Sequence, residues 1–200
     1  MEALTSPPPG FKDPVHGTQE TFRALLDALA RPGMVQTSAI AQCPKDLTSA
    51  CGAACLTLMD LETVIWLQPG INEAVKSWLL FHTGCRFTDA PKTADFAVIT
   101  SSETMPKLDE FNWGSGEYPE ASTSLLIQLS SLQGGHSVTL QGPGILEAIA
   151  ISPPLPQDFW DQWREMTTDY PLGVDLWCFS GDRVLGLPRT ARVVSHQEEA

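Results

Sequence analysis

The sequence is poor in basic residues and lean in charge of any kind. Lysine and arginine together number 12 against 24 aspartates and glutamates, so the formal net charge is −12. Binding to nucleic acid or to anionic lipid depends on clusters of basic side chains. The charge balance therefore argues against nucleic acid and membrane surfaces as partners, while it leaves a basic partner protein possible.

Segments that direct a protein to or across a membrane are also missing. The chain starts Met1-Glu2-Ala3-Leu4 and runs into Pro7-Pro8-Pro9, without the basic and apolar stretches of a secretory signal. Its apolar runs are all shorter than the roughly 20 residues that a membrane-spanning helix needs. We therefore expect a cytoplasmic protein.

The sequence gives little support to disulfide or metal chemistry. The histidines at positions 16, 82, 136 and 196 are scattered without the spacing of metal ligands, and the five cysteines include no Cys-x-x-Cys pair. Cys51 and Cys55 share one face of a predicted helix, which is typical of small buried side chains. We expect reduced cysteines and no metal site, and 200 residues suffice for a core without such crosslinks.

Common catalytic motifs are absent as well. Gly142-Pro143-Gly144 lacks the third glycine of a dinucleotide-binding loop, and no phosphate-binding P-loop occurs. Pyridoxal phosphate requires a lysine that forms the Schiff base. The five lysines, at positions 12, 45, 76, 92 and 107, do not follow an apolar strand. The sequence therefore predicts no pyridoxal phosphate and no other cofactor.

Apolar periodicity predicts helices that alternate with strands early in the chain and a strand-rich second half. Helices are expected to begin near Thr18 and in the polar segment through Glu110. A strand is expected from Ile145 to Ile151, and a last hairpin is expected to turn at Gly181-Asp182. The pattern predicts an α/β fold with three layers, a mixed parallel and antiparallel sheet with flanking helices. It divides the chain into an extended N-terminal arm (1–15), a single domain (16–194) and a disordered tail (195–200).

Four polar residues are candidates for a site. His82 follows a helix, where it would act as an acid, base or phosphate ligand, or would only bind helix carbonyls. Glu120 and the nearby Glu117 would act together, or lie in a solvated turn. Asp175 enters the last hairpin and Arg189 leaves it, and a guanidinium at this position calls for an anionic partner. That partner would be Asp175, a carboxylate across an interface or a bound phosphate, and we favour the interface.

Ten segments, in one order over about residues 16–193, resemble the PhnH family of phosphonate-metabolism proteins. Each segment alone is short, but their order and spacing together are specific. They are Thr21-Phe22-Arg23-Ala24-Leu25-Leu26, Arg31-Pro32-Gly33, Leu56-Thr57-Leu58-Met59-Asp60, Phe81-His82-Thr83, Thr93-Ala94-Asp95-Phe96-Ala97-Val98, Pro119-Glu120-Ala121, Leu125-Leu126-Ile127-Gln128, Gly142-Pro143-Gly144-Ile145, Pro171-Leu172-Gly173-Val174-Asp175-Leu176 and Leu187-Pro188-Arg189-Thr190.

The resemblance implies a fold like the large domain of pyridoxal-phosphate-dependent transferases, but without that cofactor. It also implies a homodimer that joins the PhnG, PhnI and PhnJ subunits in the core complex of carbon–phosphorus lyase. This complex supports transfer of an alkylphosphonate onto the ribose of a nucleoside triphosphate, with adenine displaced. The resemblance supplies no catalytic residue. Six tryptophans also favour a homodimer, because aromatic residues are enriched at interfaces.

Three functions remain open at this point. The chain is a largely structural or regulatory subunit of a phosphonate-processing assembly, or an enzyme or ligand-binding subunit with its own pocket around His82, Glu120 and Arg189. The third, a stand-alone enzyme that uses pyridoxal phosphate, conflicts with the positions of the lysines. Of these, we favour the first.

Overall fold

The structure is a computed structural model that describes residues 7–194. Residues 1–6 of the predicted arm and the predicted disordered tail, residues 195–200, lie outside the described residues. The helices are α1 (Pro14–Ala30), α2 (Ser49–Leu58), α3 (Glu73–Thr83) and α4 (Gln157–Met166). The strands are β1 (Gln36–Thr37), β2 (Val64–Leu67), β3 (Arg86–Thr88), β4 (Phe96–Ile99), β5 (Ser124–Gln128), β6 (Val138–Gln141), β7 (Ile149–Ile151), β8 (Asp175–Ser180), β9 (Arg183–Leu187) and β10 (Arg192–Val194).

A seven-stranded mixed sheet forms the centre of the fold, in the order β1-β9-β8-β5-β4-β2-β3. The strands from β3 to β8 in this order pair parallel, whereas β9 is antiparallel to both β8 and β1. The mixed sheet with flanking helices confirms the predicted α/β class. The likeness to the large domain of pyridoxal-phosphate-dependent transferases stays a prediction.

The two faces of the central sheet are covered by different elements. Side chains alternate along each strand, so that Leu125 and Ile127 of β5 face one side and Leu126 faces the other. The first side packs against α4 and a second, antiparallel sheet in the order β10-β6-β7. The second side packs against α1, α2 and α3. The result is three layers, with an apolar core on each side of the central sheet.

Helix α1 begins earlier than the sequence suggested. Its N-cap is Asp13, whose carboxylate accepts the backbone N–H of His16 at 3.2 Å, and Pro14 occupies the first helical position. Aspartate is a strong N-cap and proline fits the first turn, where its missing N–H costs nothing. These two residues place the start before Thr18.

Several elements differ from the prediction. Strands β3 and β10 were not predicted, and β10 completes the second sheet by pairing with β6. The polar segment that suggested a helix through Glu110 forms two short 3-10 turns, Ser102–Thr104 and Leu108–Glu110. Strand β7 begins at Ile149 instead of Ile145, because Ile145 closes a turn by donating its N–H to the carbonyl of Gly142.

Most of the tryptophans, whose number favoured a homodimer, lie in the core of this chain. Five of the six are buried within this chain, and three of those five are fully buried: Trp78, Trp160 and Trp163. Their apolar surface is already removed from water by the core.

The α-helices within residues 7–194 are too short or too polar to cross a membrane.

Candidate functional site

Three of the four candidate residues meet where the parallel strands begin. Asp175 is the first residue of β8, and β9 runs antiparallel to β8 so that Leu187 pairs with Leu176. The chain leaving β9 therefore reaches the start of β8, and Pro188 and Arg189 come to lie beside Asp175. The 3-10 turn Pro119–Ala121, which carries Glu120, precedes the neighbouring strand β5. We call this cluster the amino edge.

Arg189 is the centre of the amino edge. Its Nη2 donates to Oδ2 of Asp175 at 2.6 Å and to Oγ of Ser122, and its Nε is shared by both carboxylate oxygens at 3.2 Å. Its Nη1 donates to the carbonyls of Pro119 at 2.8 Å and Pro171 at 3.3 Å. The backbone N–H of Arg189 also donates to Asp175, at 2.7 Å. The partner of Arg189 is therefore inside the chain.

These bonds use the whole guanidinium. An arginine side chain has five N–H donors in a fixed fork, and each donor of Arg189 has an acceptor in Asp175, Ser122, Pro119 or Pro171. The arginine and aspartate side chains are only 12% and 25% exposed. At this burial the charges must be paired and hydrogen-bonded to be tolerated. The pair thus joins β8, the end of β9 and the turn before β5, and it leaves no donor for an outside carboxylate or phosphate.

A cavity of about 410 Å³ lies at the amino edge and is bordered by Glu120, Asp175 and Arg189. Glu120 is exposed there, and Glu117 lies in the exposed turn before it. Two carboxylates face one guanidinium, so the cavity walls carry a net negative charge. Such a cavity does not suit a phosphonate or a triphosphate, because like charges repel.

A larger cavity, of about 560 Å³, adjoins the first along Arg189 and Thr190. Its lining includes Tyr170, which is 57% exposed, and the exposed Arg192 at the start of β10. Unlike the smaller cavity, it is lined by a positively charged side chain, Arg192, that is not paired with the carboxylates of the amino edge. Sequence reasoning missed Arg192, because only the unpredicted strand β10 brings it here.

His82 lies apart from the other three candidates. It sits near the end of α3, where its Nε2 contacts the carbonyl of Pro8 at 2.9 Å. The indole Nε1 of Trp78 donates to the same carbonyl at 2.8 Å, and the rings of Trp78 and Phe81 flank the imidazole edge to face. His82 thus fastens the N-terminal arm to α3, and it does not border the cavity that Glu120 and Arg189 share.

Two buried glutamines occupy the opposite edge of the sheet, where the parallel strands end. Oε1 of Gln68, after β2, accepts the N–H groups of Thr100 and Ser101 at 2.9 Å each. Gln128, the last residue of β5, accepts the N–H of Thr48, the N-cap of α2, and donates to the carbonyl of Asp46 at 2.8 Å. We call this cluster the carboxyl edge. Each glutamine ends an apolar strand, and this pattern could have indicated a polar cluster at the carboxyl edge. Sequence reasoning overlooked it.

The thiols of Cys43, Cys51 and Cys178 are held in their neutral form. Burial raises the pKa of Cys178 to about 12 and that of Cys43 to about 11, and a hydrogen bond with Cys55 together with burial raises the pKa of Cys51. The thiolate is the form that attacks electrophiles and binds metals. Within residues 7–194, no three histidine, cysteine or acidic side chains are grouped to hold a metal ion.

All five lysines lie on the exposed surface and outside the strands. Lys92 donates its Nζ to the carbonyl of Asp109 at 2.9 Å, and Lys76 lies 5.4 Å from the ring centre of Phe87. A Schiff-base lysine works at a depressed pKa inside a pocket. Lys76 and Lys107 each border a cavity from the exposed surface, and the expected absence of pyridoxal phosphate stays a prediction.

Comparisons with known proteins point to one family. The family model described as bacterial phosphonate metabolism protein (PhnH) matches residues 9–194. The alpha-D-ribose 1-methylphosphonate 5-triphosphate synthase subunit PhnH of Rhizobium meliloti (strain 1021) is 39% identical over 186 residues, which cover 92% of this chain and 93% of the relative. The putative C-P lyase subunit protein HtxG of Stutzerimonas stutzeri is 30% identical over 186 residues, covering 88% and 85%.

Proposed function

Because the chain belongs to the PhnH family of bacterial phosphonate metabolism proteins, we propose that it is a subunit of a carbon–phosphorus lyase assembly that breaks down organic phosphonates. The observation that carries this proposal is the extent of the match. A relative named as a synthase subunit aligns over 93% of its own length at 39% identity. The alignment therefore spans almost the full length of that subunit.

The name of this relative defines the chemistry that the assembly performs. A ribose 1-methylphosphonate 5-triphosphate forms when a phosphonate oxygen attacks C1′ of a nucleoside triphosphate. The C1′–N bond to the base breaks, and the base leaves with the bonding electrons and takes up a proton. The triphosphate stays on O5′ throughout. We propose that the chain supports this transfer, with adenine as the leaving base, and that a separate step breaks the carbon–phosphorus bond.

We further propose that the chain contributes structure and does not hold the reacting groups. The guanidinium of Arg189 is used up by Asp175 and by backbone and hydroxyl acceptors of its own fold. His82 is engaged with the N-terminal arm. These contacts favour a folded platform over a catalytic centre built from these residues.

The proposed partners are a second copy of the chain and the PhnG, PhnI and PhnJ subunits. The support for them is the family membership, since two relatives are named as subunits. The net charge of −12 favours partner surfaces with basic character.

Co-expression with the neighbouring phosphonate genes tests this proposal. An affinity tag on this chain should capture the other subunits in fixed proportion, as measured by mass analysis. The captured complex should release adenine from ATP in the presence of methylphosphonate, and the chain purified alone should not. Capture of none of the subunits, or turnover by the chain alone after repurification, would overturn the proposal.

A second candidate function is ligand binding by the isolated chain, and the larger cavity beside Arg192 favours it. ATP with methylphosphonate should raise the melting temperature if this cavity binds either compound. Arg192→Ala should abolish the shift, whereas Arg183→Ala, at another exposed arginine that does not line the cavity, should preserve it. Under the subunit proposal the isolated chain shows no shift with either compound.

A further inference from the structure

The chain contains two tyrosines, and both lie exposed beside the amino edge. Tyr118 is 60% exposed and Tyr170 is 57% exposed, whereas five of the six tryptophans are buried. Tyr170 borders the smaller cavity of about 410 Å³, and Tyr118 directly precedes Pro119, which also borders it. Tyrosine is enriched where proteins bind one another, because its ring offers a large contact area and loses little side-chain freedom. Two exposed tyrosines at one cavity therefore indicate a surface that another protein contacts.

The two tyrosines stand in the same local sequence. Each follows an acidic residue and precedes a proline, in Glu117-Tyr118-Pro119 and in Asp169-Tyr170-Pro171. Both acidic residues are exposed. A proline restricts the backbone of the residue before it to extended conformations, so the backbone at each tyrosine is confined before a partner binds. We call these two segments the tyrosine rim.

Arg189 joins the two segments of the tyrosine rim. Its Nη1 donates to the carbonyl of Pro119 at 2.8 Å and to the carbonyl of Pro171 at 3.3 Å. These prolines are the residues that directly follow the two tyrosines. A surface that is fixed before binding loses little conformational entropy when a partner docks on it. The guanidinium at the centre of the amino edge thus preorganises the exposed tyrosines above it.

A local turn fixes each segment further. The backbone N–H of Ser115 donates to the carbonyl of Tyr118 at 3.1 Å, and the N–H of Tyr118 donates to Oγ of Ser115 at 3.1 Å. The N–H of Leu172 donates to the carbonyl of Asp169 at 3.0 Å, which closes a turn around Tyr170. The backbone beneath both exposed rings is therefore hydrogen-bonded within this chain.

The charges around the tyrosine rim determine which ligand chemistry it accepts. Arg189 and Asp175 neutralise each other in the cavity wall, so the exposed carboxylate of Glu120 sets the sign of the cavity. The acidic residue before each tyrosine adds a carboxylate at the rim. Carboxylates attract a cation, and the face of an aromatic ring binds a guanidinium or ammonium group. Arg192 lines the adjoining larger cavity and not this one.

We propose that the tyrosine rim docks a basic segment of a partner subunit, whose arginine or lysine side chain enters the smaller cavity. The proposal rests on the subunit function proposed above and names its contact surface. A second copy of this chain is a poor occupant, because each copy carries a net charge of −12 and like charges repel. The same negative walls that disfavour a phosphonate select a cation.

Removal of the two rings from the full-length chain tests the proposal in the co-expressed assembly. Tyr118→Ala/Tyr170→Ala should lower the amount of captured partner subunits by about tenfold or more, because exposed tyrosines at a contact carry much of its binding energy. Tyr118→Phe/Tyr170→Phe should retain capture, since a phenylalanine ring offers a cation the same face. Phe81 of α3, 69% exposed, is the matched control, and Phe81→Ala should leave capture unchanged.

A charge change in the cavity tests the cation. Glu120→Lys should lower capture by about tenfold or more at a wild-type melting temperature, because Glu120 is exposed. Glu73→Lys, at an exposed glutamate of α3, should retain capture. Capture by the wild type should weaken as the salt concentration rises, and Glu120→Gln should make this dependence shallower. A purely structural role of Glu120 would shift the melting temperature and leave the salt dependence as it is.

A photo-crosslinking residue at the tyrosine rim identifies the occupant. p-Benzoylphenylalanine in place of Tyr118 keeps an aromatic ring at this position and bonds covalently to what lies against it on irradiation. Mass analysis of the crosslinked assembly should find a peptide of a partner subunit that contains arginine or lysine. A crosslinked peptide without a basic residue contradicts the proposal.

The outcomes separate this proposal from the proposed function. A wild-type chain that captures no partner subunit overturns both. Wild-type capture that survives Tyr118→Ala/Tyr170→Ala and Glu120→Lys overturns only the docking surface. If the double alanine variant fails to fold, its melting temperature shows this, and Glu120→Lys then decides alone. A crosslink from position 118 to a second copy of the chain shows an interface between copies, which overturns the basic partner segment.

Discussion

The amino edge and the carboxyl edge of the central sheet solve the same structural problem with different chemistry. At the amino edge a charged pair, Arg189 and Asp175, binds the segments that enter and leave the strands. At the carboxyl edge two neutral amides, Gln68 and Gln128, bind the loops that follow β4 and precede α2. Ligands of open α/β sheets usually bind beyond the carboxyl ends of the strands. In this fold the polar side chains at both edges form hydrogen bonds with the protein's own backbone.

Substitution of a polar side chain should lower the free energy of unfolding by different amounts at the two edges. A charged group that loses its partner in a partly buried site stays behind with its desolvation cost uncompensated. A neutral amide leaves only unpaired hydrogen-bonding groups. The amino edge should therefore be the more sensitive of the two.

Arg189→Ala should destabilise the fold more than any single substitution at the carboxyl edge. It removes every side-chain bond to Asp175, Ser122 and Pro119, and it leaves the carboxylate of Asp175, 25% exposed, without its cation and with only the backbone N–H of residue 189 as a donor from this position. We expect the free energy of unfolding to fall by about 2–4 kcal/mol, less than for a fully buried pair. Urea denaturation followed by circular dichroism measures it. Arg189→Lys should recover part of the loss, because it restores the charge without the fork.

The control is an ion pair with almost the same N–O distance on the surface. Arg164 and Asp161 of α4 lie 2.7 Å apart with side chains 37% and 65% exposed. Arg164→Ala should cost less than about 1 kcal/mol. Equal losses for the two arginine variants would show that burial does not set the strength of the amino edge.

Gln68→Ala should have the next largest effect. It leaves the N–H groups of Thr100 and Ser101 and the carbonyl of Ser101 without the amide that binds them. We expect a loss of about 1–3 kcal/mol, because buried backbone groups would be unpaired. The exposed Gln133 is the matched control, and Gln133→Ala should be neutral in the same denaturation assay. A cost for Gln68→Ala above that for Arg189→Ala would reverse the order of the two edges.

The sequence predicted the central layer well, because its strands follow the rules on which the prediction depends. The apolar runs in β4, β5 and β8 are buried on both faces, and a continuous apolar run is what a parallel strand in a covered sheet requires. Strands β3 and β10 have only three residues each. They form strands because they pair with β2 and β6, respectively. The local sequence does not show that such a partner strand lies alongside.

The candidate site shows the same division. The hairpin of β8 and β9 could be predicted from its turn, and its register brings Asp175 next to Arg189. Asp175 was one of the three anionic partners that the sequence analysis considered for this arginine. The participation of Ser122 and the carbonyl of Pro119 depends on how the turn before β5 packs, which is a tertiary contact. His82 could not be separated from the other candidates without knowledge of the arm, because its partner is a backbone carbonyl of Pro8.

The smallest expected effect concerns β8, the strand that joins the two edges, and it appears only at alkaline pH. Between Asp175 at its start and Phe179, which pairs with Gln128 near its end, the only ionisable side chain is Cys178. Burial raises the pKa of this thiol from 9.0 to about 12. Below pH 9 the thiol is protonated in both the folded and the unfolded chain.

Between about pH 9 and pH 12 the unfolded chain loses this proton while the folded chain keeps it, so the free energy of unfolding falls as pH rises. By pH 10, one pH unit above the unfolded-state pKa of 9.0, the loss from Cys178 should be about 1 kcal/mol. Cys178→Ala lowers stability at every pH by removing a buried side chain, so the informative quantity is the difference between urea denaturation at pH 8 and at pH 10. That difference should be about 1 kcal/mol smaller in Cys178→Ala than in the wild type. If the stability loss between pH 8 and pH 10 were the same in Cys178→Ala and in the wild type, water would have to reach the thiolate in the folded chain. The different sensitivities of the two edges would then not depend on a water-free core between them.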